Sequence, residues 1–164
     1  MRAGRFVLAA IVSAWSAGSA GAGPLTPESR KEIDRLLDVV VLYPAVGETQ
    51  YFTMKAGEVV NVQFTGDATI EYYVNVISDD DCTNVDLVGL DADGTEADVD
   101  DFDDPSPVLN IHASEYRSVL DKPTGKPVRP MTFEIRMIAC KTDVCSLGLR
   151  ITQVDDWTDE DEES

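Results

Sequence analysis

Residues 48–64, "ETQYFTMKAGEVVNVQF", settle the class of fold. Val60, Val62 and Phe64 alternate with Asn61 and Gln63, the two-residue period of a strand that buries one face and wets the other. Residues 49–54 form a second extended run, and Lys55-Ala56-Gly57 between the two reads as a turn in which glycine supplies a positive φ. The alternation returns in "TIEYYVNVIS" (69–78), where Ile70, Tyr72, Val74 and Val76 oppose Glu71, Tyr73 and Asn75. "VDLVGL" (85–90), "PVLNIHAS" (107–114), "MTFEIRMIAC" (131–140) and "LGLRITQV" (147–154) continue a series of short, turn-separated strands. Such a series, with few helices, predicts an all-β antiparallel sandwich or barrel.

Upstream the period is different. In "LTPESRKEIDRLLDVV" (25–40), Thr26 is placed as an N-cap, Pro27 at the first helical position and Glu28 in the first turn. Ile33, Leu36, Leu37 and Val40 follow at helical spacing, predicting one short amphipathic helix over 27–39 whose apolar stripe packs on the main body. Still earlier, Arg2 and Arg5 precede an apolar run over 6–15 and then small residues ending in Ala20-Gly21-Ala22. That order is a secretory signal peptide cleaved after Ala22, so a secreted or periplasmic location is expected. The run is short for a bilayer span, and no other stretch approaches about 20 apolar residues. The expected organisation is therefore signal peptide 1–22, helical lead-in 23–47, sandwich 48–154 and an acidic tail 155–164. That tail, "DDWTDEDEES", is too charged to build a core and is expected to be disordered, with Trp157 docking its start.

The formal net charge is -18, from 13 basic and 31 acidic residues, and the predicted leader removes Arg2 and Arg5 from the basic side. Nucleic acid and anionic membranes are excluded as natural partners, because both need a basic patch to displace counterions. Cations, basic proteins or glycans remain, and a monomer is expected. The 3 cysteines, Cys82, Cys140 and Cys145, suggest one disulfide in an oxidising compartment. Cys140 and Cys145 flank "KTDV" and are the preferred pair, as if across a hairpin end; pairing of Cys82 with either stays open. Zinc is not expected from three cysteines without a Cys-x-x-Cys pair and a single histidine, His112. The proline-rich stretch 114–130 carries Arg117, Lys122, Lys126 and Arg129 and reads as a long exposed loop.

The stretch "LVGLDADGTEADVDDFDD" (87–104) raises the question of a metal. With Gly94 at the sixth position of an EF-hand loop, Asp91 and Asp93 fall at the third and fifth, but the first is Gly89 and the twelfth Asp100. A strand precedes the motif and acidic coil with prolines follows, so it is no EF-hand. Asp93-Gly94 instead predicts a type I′ hairpin turn. The remaining acids are more than a turn requires, and between Ala56 and Tyr116 there is no Lys or Arg. Such a concentration repels itself unless a cation offsets it. Asp91, Asp93, Asp98 and Asp100 are the candidate calcium ligands.

Three segments together resemble a known family. "YFTMKAGEVVNVQFTGDA", "VDLVGLDADGTEADVDDFDDPSPVLNIHAS" and "MTFEIRMIACKTDVCSLGLRIT" are similar to the bacterial pre-peptidase C-terminal domain, over roughly residues 48–154. In that family an apolar-Lys/Thr-Ala-Gly turn ends a strand, a "D-L-x-L" strand enters a "D-x-D-G-T" hairpin, and the last strands end in "Y-x-L-x-I". The resemblance implies a jelly-roll-like antiparallel sandwich without catalytic residues, in some members binding matrix, glycans or calcium. Phe133 and Leu149 stand where the family usually keeps tyrosine, and the proline-rich stretch and the Cys140 to Cys145 segment also depart from it.

The functional expectation is a secreted, non-enzymatic binding or accessory module, with calcium as its candidate ion. The alternative is a small secreted hydrolase, or an inhibitor of secreted enzymes. Catalysis would draw on His112 and Ser114, but no Gly-x-Ser-x-Gly elbow supports it. Tyr51 and Tyr73, if they share the outer face, would form a stacking platform for a glycan. The binding reading predicts a closed sandwich without a pocket; the enzyme reading predicts a cleft with convergent polar groups around His112 or the acidic stretch.

Overall fold

A computed structural model describes residues 13–15, 25–112 and 116–154. The cleavage point and most of the predicted leader, Ser114, and the tail with Trp157 lie outside them. In chain order the elements are β1 (Ser13–Trp15), α1 (Pro27–Val40), β2 (Gln50–Met54), β3 (Val59–Asp67), β4 (Tyr72–Ser78), β5 (Cys82–Leu90), β6 (Glu96–Asp100), β7 (Val108–Ile111), β8 (Val119–Leu120), β9 (Pro127–Cys140) and β10 (Cys145–Gln153).

One sheet has the order β1-β3-β9-β5-β6, with β8 added against β9, and the other β2-β10-β4-β7; every pairing is antiparallel. Consecutive strands from β2 to β5 alternate between the sheets, β5 and β6 form a hairpin, and β7, β9 and β10 alternate again. This is the strand order of a jelly roll. The alternating faces meet between the sheets: Val62, Phe64, Leu87, Phe133 and Ile135 from one, Val74, Val76, Leu109, Leu149 and Ile151 from the other, all buried. β1 lies within the segment read as a leader and pairs with the edge of β3, Ala14 opposite Val62.

Several local expectations need correction. Residues 55–57 form the expected turn, with Gly57 at φ 85, and it passes the chain from one sheet to the other; residues 141–144 are likewise a corner between sheets, not a hairpin end. Alternation shows which face of a strand is buried, not which sheet receives the next strand. The acidic segment after Gly94 is not coil: Glu96–Asp100 is the edge strand β6, whose charged side chains suit an edge. The turn before it is not type I′, because Asp93 keeps a negative φ and only Gly94 is left-handed, at 84. Asp91 Oδ1 accepts the Asp93 and Thr95 amides at 3.1 and 3.2 Å and holds Asp93 there. The proline-rich loop shrinks to the β8–β9 connection, and Arg129, assigned to it, is wholly buried inside β9. Pro130 is tolerated because β5 ends opposite Thr132, so one side of β9 carries no β5 ladder at that point.

Helix α1 begins as expected, with Thr26 Oγ1 accepting the Ser29 amide at 3.0 Å. Its buried stripe is Ile33 and Leu37, with Leu36 half-buried; Val40, expected in the stripe, is half exposed. The helix lies on the outer face of the second sheet, over β10 and β4. Gly148 makes that approach possible, since a Cβ there would stand 2.6 Å from Ile33 Cγ2. Polar contacts fix the helix: Tyr51 donates a hydrogen bond to Asp34, Arg30 sits 4.4 Å over the Tyr51 ring, and Arg150 reaches Asp38 at 2.8 Å and Thr49 at 3.0 Å. Gly148→Val is expected to displace α1 and lower stability by about 1–3 kcal/mol, read as a denaturant midpoint, because the added volume meets packed side chains.

Candidate functional site

The four candidate calcium ligands do not share a site. Asp91 and Asp93 occupy the turn, where Asp93 Oδ1 also accepts the Thr95 amide at 3.1 Å and Arg117 lies 3.7 Å from Asp93 Oδ2. Asp98 and Asp100 sit along β6, opposite Gly89 and Leu87. Asp98 Oδ1 accepts the Val99 amide, and Asp100 accepts those of Phe102 and Val108. Among the described residues no group of three or more His, Cys, Asp or Glu side chains stands close enough to hold a metal ion. The carboxylates are engaged in capping backbone N–H groups of a turn and a strand.

The cysteines do come together. Cys82 lies opposite Cys140 in the β5–β9 register, and the Cys145 thiol interacts with both. All three are free thiols in the structure, Cys82 and Cys145 buried and Cys140 half-buried. Burial pushes Cys82 up to about 12 from an ordinary 9.0 and raises Cys145 as well, so both are protonated and unreactive near neutrality.

His112 Nδ1 is 3.2 Å from Glu71 Oε1, with both side chains nearly half exposed. Its other candidate partner, Ser114, lies outside the described residues. Tyr51 and Tyr73 do point to the same outer face, opposite Gly148 and Thr152 of β10. They do not form an open platform, because Tyr51 lies against α1, and Tyr43 stacks on Tyr73 with centroids 5.5 Å apart and planes 8° from parallel.

What that face offers instead is a groove, a departure from the expected pocketless surface. α1 covers the β10 side of the sheet, and the chain leaving it, Val41-Leu42-Tyr43, runs alongside β4. Between this segment, β4 and the start of β7 lies a cavity of about 380 Å³, lined by Val40, Leu42, Tyr43, Tyr73, Val108 and Thr152 among others. Leu42 is 86% exposed and Val108 45%. Thr152, Tyr73 and Asn110 are direct neighbours across β10, β4 and β7. The Thr152 side chain is wholly buried, and its Oγ1, like Asn110 Oδ1, has no hydrogen-bond partner among the described residues. Nearly all buried polar groups in folded proteins are paired, so an unpaired hydroxyl lining a groove is an unmet demand. Among the described residues, no carboxylate, imidazole, amine, guanidinium or thiol lines the cavity.

Fold and site together define a jelly-roll sandwich with a largely apolar groove on the face that its helix half covers. No family model matches the chain, and no curated protein matches it. Among solved structures it is similar to a Yersinia pseudotuberculosis-derived mitogen, at 18% identity over 70% of this chain and 91% of that one, with a TM-score of 0.43. A likeness of that degree carries no argument about function.

Two pH responses follow from the local chemistry. Asp91, together with Thr95, holds the Asp93 carboxyl down to about 2 from an ordinary 3.8. A depressed folded value means that its stabilisation is present above about pH 4 and is lost as the pH falls towards the folded value. The Thr95 amide resonance is expected to titrate near pH 2 rather than near 4, by NMR. For Cys82 the sign is opposite: its contribution is intact below pH 9 and lost as pH rises towards about 12, because the unfolded chain ionises first. In reduced protein, Cys82→Ala should flatten the alkaline fall of the unfolding free energy; an unchanged slope refutes the assignment.

Proposed function

We propose that this chain is a secreted or periplasmic, non-enzymatic binding module and that the groove beside Tyr43 and Tyr73 is its recognition surface. The observation that carries this reading is the composition of the groove. It combines apolar walls, an aromatic pair and a few hydroxyl and amide groups, and none of the described side chains that line it is a carboxylate, imidazole, amine, guanidinium or thiol. General acid–base chemistry needs such a group within hydrogen-bond reach of substrate. Binding needs apolar area and a few placed polar atoms, which is what these residues supply. The signal-peptide order of the first residues supports export, and the acidic surface keeps an exported module soluble.

A neutral solvatochromic dye such as Nile red tests the groove without assuming a natural partner. Its fluorescence should rise and shift to the blue with the wild type. Leu42→Gln and Val108→Gln, both at exposed positions, should each weaken that response several-fold without lowering the melting temperature. An equal response from the variants would place the apolar surface elsewhere and refute the groove as the recognition site.

A further inference from the structure

We infer that the partner recognised by the groove is a basic amphipathic peptide segment: an apolar or aromatic anchor side chain with Lys or Arg on either side of it. The inference rests on the groove being the recognition surface and adds the charge of what enters it. Two carboxylates are attached directly to the groove wall. Asp100 Oδ2 accepts the Val108 amide at 2.8 Å, and Asp104 Oδ1 accepts the Ser106 amide at 2.7 Å; Val108 and Ser106 both line the cavity. Both carboxylates are thereby tied to the backbone at the β7 edge of the groove, although neither lines the cavity itself.

The opposite wall has the same sign. α1 ends there, its last turn carries no basic residue, and the carbonyl end of a helix bears a partial negative charge. None of the described lining residues is a cation, and β4, β7 and the connection before β7 contain neither Lys nor Arg. The nearest guanidinium on the sheet, Arg150, is already shared between Asp34 and Asp38. An anionic or acidic ligand would meet uncompensated repulsion on both walls. A neutral apolar ligand would leave the rim charges without use. A cation beside an apolar anchor meets both walls favourably.

Fluorescein-labelled peptides of one design separate the outcomes: Ac-Lys-Leu-Trp-Lys-Leu-Arg-NH2, the same peptide with Gln in place of every basic residue, and the same with Glu, each titrated by anisotropy. The basic peptide is expected to bind at least tenfold more tightly than the Gln peptide at low salt, with the Glu peptide weakest. The preference should shrink at about 0.3 M salt, where the screening length falls well below 10 Å. Asp100→Asn with Asp104→Asn keeps an acceptor oxygen at each amide and should remove most of the preference, while Leu42→Gln should weaken basic and Gln peptides alike. Equal binding of the basic and Gln peptides, or a preference untouched by the double Asn variant, overturns the inference and leaves the groove as a neutral site. If no peptide binds although Nile red still reports the groove, the partner is not a basic peptide and the inference fails alone. If neither peptide nor dye responds to groove substitutions, the recognition site itself is refuted.

Discussion

The guanidinium of Arg129 holds the two sheets together at one end. Its side chain is wholly buried and forms no ion pair among the described residues. It donates instead to backbone carbonyls: His112 at 3.1 Å, Ala68 and Ile70 at 2.7 Å, and Asp67 at 3.4 Å. Arg129 belongs to β9 in the first sheet, residues 67–70 form the corner by which β3 passes to β4, and His112 follows β7 in the second sheet. One side chain thereby joins both layers. Desolvation of a lone cation costs several kcal/mol in a protein interior and lowers the pKa of Arg129, but a guanidinium stays charged, so the carbonyl cage is what makes its burial tolerable. The surroundings are built to the same end. Tyr72 accepts the Asp67 amide at 2.8 Å, and its ring meets Phe64 edge-on at 5.1 Å. Only glycine fits at position 66, where a Cβ would stand 2.7 Å from the Tyr72 ring.

With its interior filled in this way, the sandwich has only its outer faces free for contact. The outer face of the first sheet carries charges along β6 and β9, whereas that of the second carries Tyr51, Tyr73 and Gly148 and needs a cover. α1 provides it over β10, where Gly148 admits Ile33. A helix of 14 residues cannot cover the whole face, and the chain returns to β10 through the Gln153–Pro44 bond and the Ala45–Thr152 bridge. The groove is the uncovered remainder. It follows from a sheet wider than its helix, and its edge from a segment that must turn back at Pro44.

The strands were legible because their alternation records burial directly: Val62, Phe64, Val74, Val76, Leu109 and Ile111 all face the core as their spacing requires. The helix was legible from Thr26 and Pro27. What alternation does not encode is the choice of sheet at each corner, which is why residues 141–144 read as a hairpin end. Arg129 was misread because a basic residue between prolines resembles loop composition; its burial depends on carbonyls up to 62 positions away in the chain. β6 was missed because its charges obscure the short period of an edge strand. The groove had a signal that the helical reading absorbed. Residues 39–43, Val-Val-Val-Leu-Tyr, hold more apolar side chains in a row than the stripe of α1 can bury.

Unpaired polar atoms give the groove its weight relative to an ordinary surface hollow. Each buried hydroxyl or amide oxygen left without a partner costs about 1–3 kcal/mol, against a total stability of about 5–15 kcal/mol for a domain of this kind. The side chains of Asn61, Asn84, Asn110 and Thr152 and the Nε of Arg129 all contribute such atoms, so the cost alone does not mark a site. Position does. Asn61 and Asn84 belong to separate strands of the first sheet, β3 and β5, and Arg129 Nε lies in its carbonyl cage. Thr152 and Asn110 flank a single residue, Tyr73, beneath a stacked ring and beside exposed Leu42 and Val108. Valine is nearly the shape of threonine and would remove one of the two orphans without disturbing β10. The Asp100 and Asp104 carboxylates on the Val108 and Ser106 amides give the β7 edge of the groove its negative charge.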